Sequence, residues 1–224
     1  MARLSRRKRR AAVKRFVTTG DLEGLVSFSR QEPEAIYLVM ALAFERDDAL
    51  RWRALDALGQ LAAVVADGEG ADKVRGLIRR LLWLMNDESG GIAWHGPEAI
   101  AEVLVNVPEL IGEYGRIMAS FIDEDPFGPG THWAIARVAP KLPEEFSHLK
   151  ERLARAPASK DAIERGYGLL ALAALDTRLA REHAHALVDD DATIVTWDRA
   201  HEALRETKVG DIAREVLGAA TRAA

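Results

Sequence analysis

The stretch "NDESGGIAWHGPEAI" (residues 86–100) concentrates the side chains best suited to chemistry. His95 and Glu98 stand three apart and Glu102 four further on, so a helix over 94–105 places all three on one face. An imidazole with carboxylates at that spacing can hold zinc, or half of a di-metal centre, when a second helix supplies the remaining ligands. The other histidines do not supply it by pattern. His183 and His185 in "EHAHAL" are two apart and leave a helix on different sides, and no HExxH motif occurs. His132, at another corner, is the one further histidine that could approach. The spacing assigns neither a metal nor a catalytic residue. The double glycine Gly90–Gly91 suggests a phosphate nest, but Asp87 and Glu88 beside it repel phosphate, and neither GxGxxG nor GxxxxGK[ST] is present. Its role is steric: glycines turn the chain, and Pro97 suits an early helical position.

Two other series recur along the chain. Acidic residues collect at short polar corners: Asp47 and Asp48, Asp87 and Glu88, Asp123 to Asp125, and Asp189 to Asp191. Each can cap a helix N-terminus, where carboxylates meet the positive end of the dipole. Taken together, Asp48, Asp87, Glu88, Asp123, Asp125 and Asp190 are candidates for an acidic ridge that receives basic peptides, cations or the protein's own N-terminal arm. After most corners comes a tryptophan: Trp52, Trp94, Trp133 and Trp197, with Arg165 at the corresponding place between the last two. Large aromatics repeated at one slot pack the seam between neighbouring units, or present a surface on which a ligand stacks.

The elements that must position these residues are helices. "LRWRALDALGQLAAVV" sets Leu50, Ala54, Leu58 and Leu61 on one face, and similar helical periodicity runs almost throughout. No alternating strand pattern competes with it. The spacing predicts five helix pairs over 20–66, 71–106, 108–142, 144–175 and 177–207, then a closing helix over 208–220. Small residues at Ala136 and Ala139, Gly168 and Ala171, and Ala200 and Ala203 suit close packing between successive pairs. A two-helix unit that cannot bury its apolar face alone, repeated along the chain, is the pattern of an α-solenoid. At "DDALRWRALDALGQLAAV", with a corner Asp, an early Arg and an A-x-x-A-L-G stretch, the chain resembles the HEAT-like repeat superfamily. The run "LLWLMNDESGGIAWHGPEAIAEVLVNVPELI" is similar to an uncharacterised bacterial family of small HEAT-like proteins. The resemblance implies an all-α, α-α superhelix of about five pairs over residues 20–224 as a single domain. It also implies that second helices line a concave face. On that face Trp94, His95, Glu98, Trp133, Arg137 and Trp197 form the candidate binding surface.

Charge is divided unevenly. Of 31 basic residues, eight lie within residues 1–15, where there is no acid; the other 23 stand against 35 acidic residues. Residues 1–19 are therefore expected to be a basic arm or a capping helix, able to bind nucleic acid or to fold back on an acidic body. Cysteine is absent, which excludes disulfides, thiolate metal sites and a cysteine nucleophile. No apolar run approaches the ~20 residues of a membrane span, and no apolar stretch of a secretory signal follows the basic start. A cytoplasmic chain with no membrane segment is expected.

These readings point to a non-catalytic interaction scaffold that binds a protein or peptide on its helical face, with no cofactor. The competing expectation is a DNA-binding or DNA-repair protein of the HEAT-like alkylpurine glycosylase type, which resembles this chain in length and architecture. In it Trp94 or Trp133, with Glu98 and Arg137, would stand nearest the aromatic, acidic and Arg groups that the resemblance implies. An acidic body is a poor cradle for DNA. HEAT-like bilin lyases share the fold, but no motif here supports bilin chemistry.

Overall fold

The computed structural model describes residues 4–67, 70–86 and 93–218. The chain folds as two compact units, Met1–Val107 and Pro108–Ala224.

The first unit is helical throughout its described residues, and short polar caps set where each helix starts. Ser5 opens α1 (Arg6–Thr19), which stops at Gly20, a residue in the left-handed region (φ 67°). Asp21 accepts from the Gly24 amide at 2.8 Å and starts α2 (Leu22–Gln31). Pro33 then separates α2 from α3 (Ala35–Leu42). Asp47 accepts from Leu50 N at 3.0 Å and begins the long α4 (Asp48–Ala66). The pair α5 (Ala71–Met85) and α6 (Gly96–Asn106) completes the unit. Leu50, Ala54, Leu58 and Leu61 of α4 are all buried, as their spacing requires. Helix α4 packs on α3, α5 and α6, and α1 packs on α2, α3 and α4. The first expected pair, 20–66, is thus three helices, because "QEPEA" breaks its first half.

The second unit contains α7 (Ile111–Ala119), α8 (Gly128–Val138), the single turn α9 (Lys150–Leu153), α10 (Ala162–Leu175), α11 (Thr177–Ala184) and α12 (Val209–Gly218). Helix α8 packs on α10, and α10 on α11 and α12. Second helices therefore stack on second helices, α4 on α6 and α8 on α10, as an array of helix pairs requires. Residues Pro143–Leu149, expected as α-helix, form 3-10 turns that bury Phe146 completely.

The fifth expected pair fails in its second half. Residues 193–208 are an antiparallel hairpin, β1 (Thr193–Asp198) with β2 (Ala203–Lys208), in the register Thr193↔Lys208 to Asp198↔Ala203. Thr193, Ile194, Val195, Thr196 and Trp197 are consecutive β-branched or aromatic residues, which fit a pleated strand better than a helix. Asp198 accepts from the amides of Ala200 and His201 at 3.0 and 3.3 Å, and Glu202 takes φ 47°, which closes the turn. Ile194 anchors the hairpin in the core beneath α10, which β1 contacts. The all-α class holds with this one small exception among the described residues. No helix among them is long and apolar enough to cross a membrane.

Candidate functional site

The start of α6 is built by its own residues. His95 precedes the helix, and Gly96 and Pro97 form its first turn. A Cβ on Gly96 would fall 2.5 Å from Met85 Cγ, so a larger residue here would have to displace the Met85 side chain at the end of α5. His95 Nδ1 lies 3.0 Å from Glu98 Oε1 and, as its N–H, donates to that carboxylate. Glu98 is buried, beside the positive end of α6, while His95 remains about a third open. Its other oxygen has no hydrogen-bond partner among the described residues. Glu102, one turn on, is fully buried. The expected face of His95, Glu98 and Glu102 therefore turns into the fold, with Glu98 engaged in holding the imidazole. No group of three or more His, Asp or Glu side chains among the described residues is placed to hold a metal ion.

The tryptophans share a slot in sequence but not an environment. Trp52 is buried in the first unit, and Trp133 is half-buried on α8 together with Arg137. Trp197 lies half-buried on strand β1 and not at the start of a helix, a correction that follows from the hairpin. Trp94 is 63% exposed, immediately before α6. Trp83, the tryptophan outside the repeated slot, is 62% exposed, on the side of α5 opposite its buried Leu77, Ile78 and Leu81. It stands two residues before the end of α5, so both open indoles occupy the same end of the α5–α6 pair. Trp94, His95 and Glu98 belong to the first unit; Trp133, Arg137 and Trp197 belong to the second.

Three of the acidic residues singled out from the sequence are paired where they stand. Asp48 pairs with Arg51 at 2.8 Å, Asp123 with Arg152, and Asp190 with Arg165 at 2.7 and 3.2 Å. Asp125 is exposed, in a cis peptide with Pro126. Asp87 and Glu88 lie outside the described residues. Asp48, Asp123 and Asp190 are thus each engaged by an arginine.

A polar network not evident from spacing fills the second unit. His132 is fully buried on α8, with Nδ1 2.8 Å from the Gly128 carbonyl and Nε2 3.9 Å from Glu164 Oε1. Glu164 also takes the Ser159 hydroxyl and, at 3.5 Å, Arg152. Serine, glutamate and histidine thus meet, but the carboxylate stands between the hydroxyl and the imidazole.

Burial pushes the His132 pKa below the usual imidazole value of 6.5. The folded chain keeps it neutral while the unfolded chain takes up a proton near pH 6.5. Stability is unaffected above that pH and falls as pH drops below it, until the lowered folded pKa is reached. Urea midpoints of wild type should decline between pH 7.5 and 5.5. In His132→Gln the decline should be shallower; an equal slope would assign it to other groups.

No protein-family model matches the chain. A protein of Archaeoglobus fulgidus described as "Uncharacterized protein" is 28% identical over 185 residues, covering 80% of this chain and 93% of its own length. That organism is an archaeon, and the bacterial affiliation expected from residues 81–111 is not shown by it. Among solved structures, the crystal structure of the archaeal HEAT-like repeats protein from Thermococcus onnurineus NA1 is similar, with a TM-score of 0.43 and 14% identity, covering 97% of this chain and 80% of that one.

Proposed function

We propose that the chain is a non-catalytic interaction module of the HEAT-like kind, which captures a polypeptide partner with the open indoles of the α5–α6 corner. One observation carries the reading: Trp83 and Trp94 are both more than 60% exposed at the same end of one helix pair. An indole left in water gives up a large apolar surface that a partner can cover, and tryptophan is enriched at the centres of interfaces. His95 stands beside Trp94 with its ring fixed by the buried Glu98, so a polar anchor of set direction adjoins the aromatic one. The partner class that fits is a segment offering an apolar side chain with an acceptor near it.

The glycosylase reading loses ground on geometry. Glu98 is buried and committed to His95, so it does not present a carboxylate beside an open aromatic cradle.

A peptide-display selection against the full chain tests the proposal, with enriched peptides labelled and titrated by fluorescence anisotropy. Trp83→Ala with Trp94→Ala should weaken the selected peptides by about tenfold or more, as loss of interface anchors does. Its thermal midpoint should stay near wild type, since exposed substitutions usually change stability by less than about 0.5 kcal/mol. Peptides that bind the double variant as tightly as wild type would place the binding surface elsewhere.

A further inference from the structure

The basic N-terminal residues form a folded, presented surface. Helix α1 turns Val13 and Val17 into the first unit, with Arg9, Ala12 and Phe16 half-buried beside them. That stripe, spaced three and four apart, fixes which side faces outward. Arg9 reaches Glu32 at 3.3 Å and Arg10 reaches Glu45 at 3.1 Å, so two of the cations tie α1 to the body. Phe16 packs on Phe28 of α2 with ring centres 5.8 Å apart, a second tie.

The outward side carries Arg7, Lys8, Ala11, Lys14, Arg15 and Thr18, all exposed. None of Arg7, Lys8, Lys14 and Arg15 has a carboxylate partner among the described residues; the Arg15 guanidinium lies over the Phe16 ring at 5.0 Å. Arg7 and Lys14, and likewise Lys8 and Arg15, are seven apart. They make two parallel rows, each spanning roughly 10 Å at 1.5 Å per residue. A chain with net charge −4 therefore shows, on the outward side of one helix, two ranks of two exposed cations each.

We propose that this face of α1 binds the phosphate backbone of a nucleic-acid duplex without regard to sequence. A lipid surface fits less well. Amphipathic helices hold membranes by burying an apolar face among the acyl chains, and the apolar face of α1 is already spent on the protein core. An acidic protein also fits less well, because specific protein interfaces need apolar and aromatic centres and are depleted in lysine. On the outward side of α1 only Ala11 and Thr18 accompany these cations. A repeating array of phosphates asks for nothing more than positive charge and donors at matching intervals, which Arg and Lys on a rigid helix provide. Because the rest of the chain is acidic, the contact is confined to this helix and its footprint is small.

Fluorescence anisotropy of the full chain with a labelled 20-base-pair duplex of random sequence tests the proposal. Four phosphate contacts give a slope of log K against log salt of about −4, so affinity should fall roughly a hundredfold between 50 and 200 mM salt. The quadruple variant R7Q/K8Q/K14Q/R15Q keeps good helix formers and should lose measurable binding with its helical content unchanged. R7Q/K14Q should roughly halve the slope, which keeps the test decisive if the quadruple variant folds poorly. The Trp83→Ala/Trp94→Ala protein should bind the duplex as wild type does, separating this surface from the peptide site. Three outcomes overturn the proposal: no duplex binding at 50 mM salt, unchanged binding by the quadruple variant, or binding to phosphatidylserine-containing vesicles without binding to the duplex.

Discussion

Arg165→Met is expected to lower the stability of the second unit by about 2–3 kcal/mol, the cost of breaking a mostly desolvated ion pair with some allowance for residual solvent. Arg165 and Asp190 side chains are only 16% and 15% exposed, and the guanidinium donates to both carboxylate oxygens. The same guanidinium donates to the carbonyls of Ser159 and Lys160, each at 3.0 Å. One side chain thus joins the start of α10, the turn before it and the corner after α11. Asp190 in turn holds the Ala192 amide at 3.0 Å, and its own carbonyl accepts from Gly210 at the start of α12. Methionine keeps the apolar stem but leaves the carboxylate and two carbonyls without their main donor. Asp190→Asn should cost less, because an amide oxygen still accepts from Arg165.

Acid sharpens the comparison. The Arg165 hydrogen bond, aided by that of Ala192, holds the Asp190 carboxyl below its ordinary value of 3.8. A depressed carboxylate contributes stability above its unfolded pKa and loses it as pH falls through the folded one. Wild type should therefore shed this contribution below about pH 4, while Arg165→Met, having lost it already, should show a flatter acid limb. Chemical unfolding at pH 7 and pH 3 reads both. A variant equal to wild type at pH 7 would remove Arg165 from the framework.

What the sequence displayed and what it concealed divide along physical lines. The α4 stripe was legible because Leu50, Ala54, Leu58 and Leu61 repeat at the helical period, and burial follows from that period alone. Asp47 was legible as a cap because capping is local. The hairpin was hidden by Ala200, Ala203 and Leu204, which mimic helical spacing, although five β-branched or aromatic residues from Thr193 argued for a strand. The tryptophan series misled for a different reason. Position within a repeat fixes where a backbone lies, whereas exposure depends on what packs above it, so Trp52 is covered and Trp94 open. Trp83, outside the series, proved as open as Trp94. Three acidic residues of the expected ridge have partners: Arg51 lies three residues from Asp48, and Arg152 and Arg165 lie 29 and 25 residues from Asp123 and Asp190. The two long-range pairs leave no trace in local spacing.

Gly59→Ala and Gly76→Ala should move the first unit in opposite directions. Both glycines lie inside helices, α4 and α5, where alanine is intrinsically better by up to about 1 kcal/mol. At Gly76 nothing opposes that gain: the nearest atom to an added methyl is the Tyr37 hydroxyl, 4.0 Å away. A rise of about 0.5–1 kcal/mol is expected. At Gly59 the added carbon would sit 2.5 Å from the Glu102 carbonyl oxygen and 2.5 Å from Asn106 Nδ2. Asn106 Nδ2 itself donates to that carbonyl at 2.8 Å, so both obstacles belong to one hydrogen-bonded group on α6. A backbone carbonyl cannot swing aside as a side-chain end can, and α4 must back away from α6 along its length. Overpacking of this kind costs about 1–3 kcal/mol, which exceeds the propensity gain and reverses its sign. Helix α6 carries Glu98, and through it His95, so displacement of α6 should also disturb the corner beside Trp94. Paired thermal melts of the two variants check the stabilities, and the difference in emission between proteins with and without Trp94→Phe reports the corner. Equal melting points for Gly59→Ala and Gly76→Ala would mean that α4 and α6 do not meet backbone to backbone, and the stacking of second helices would lose its tightest contact.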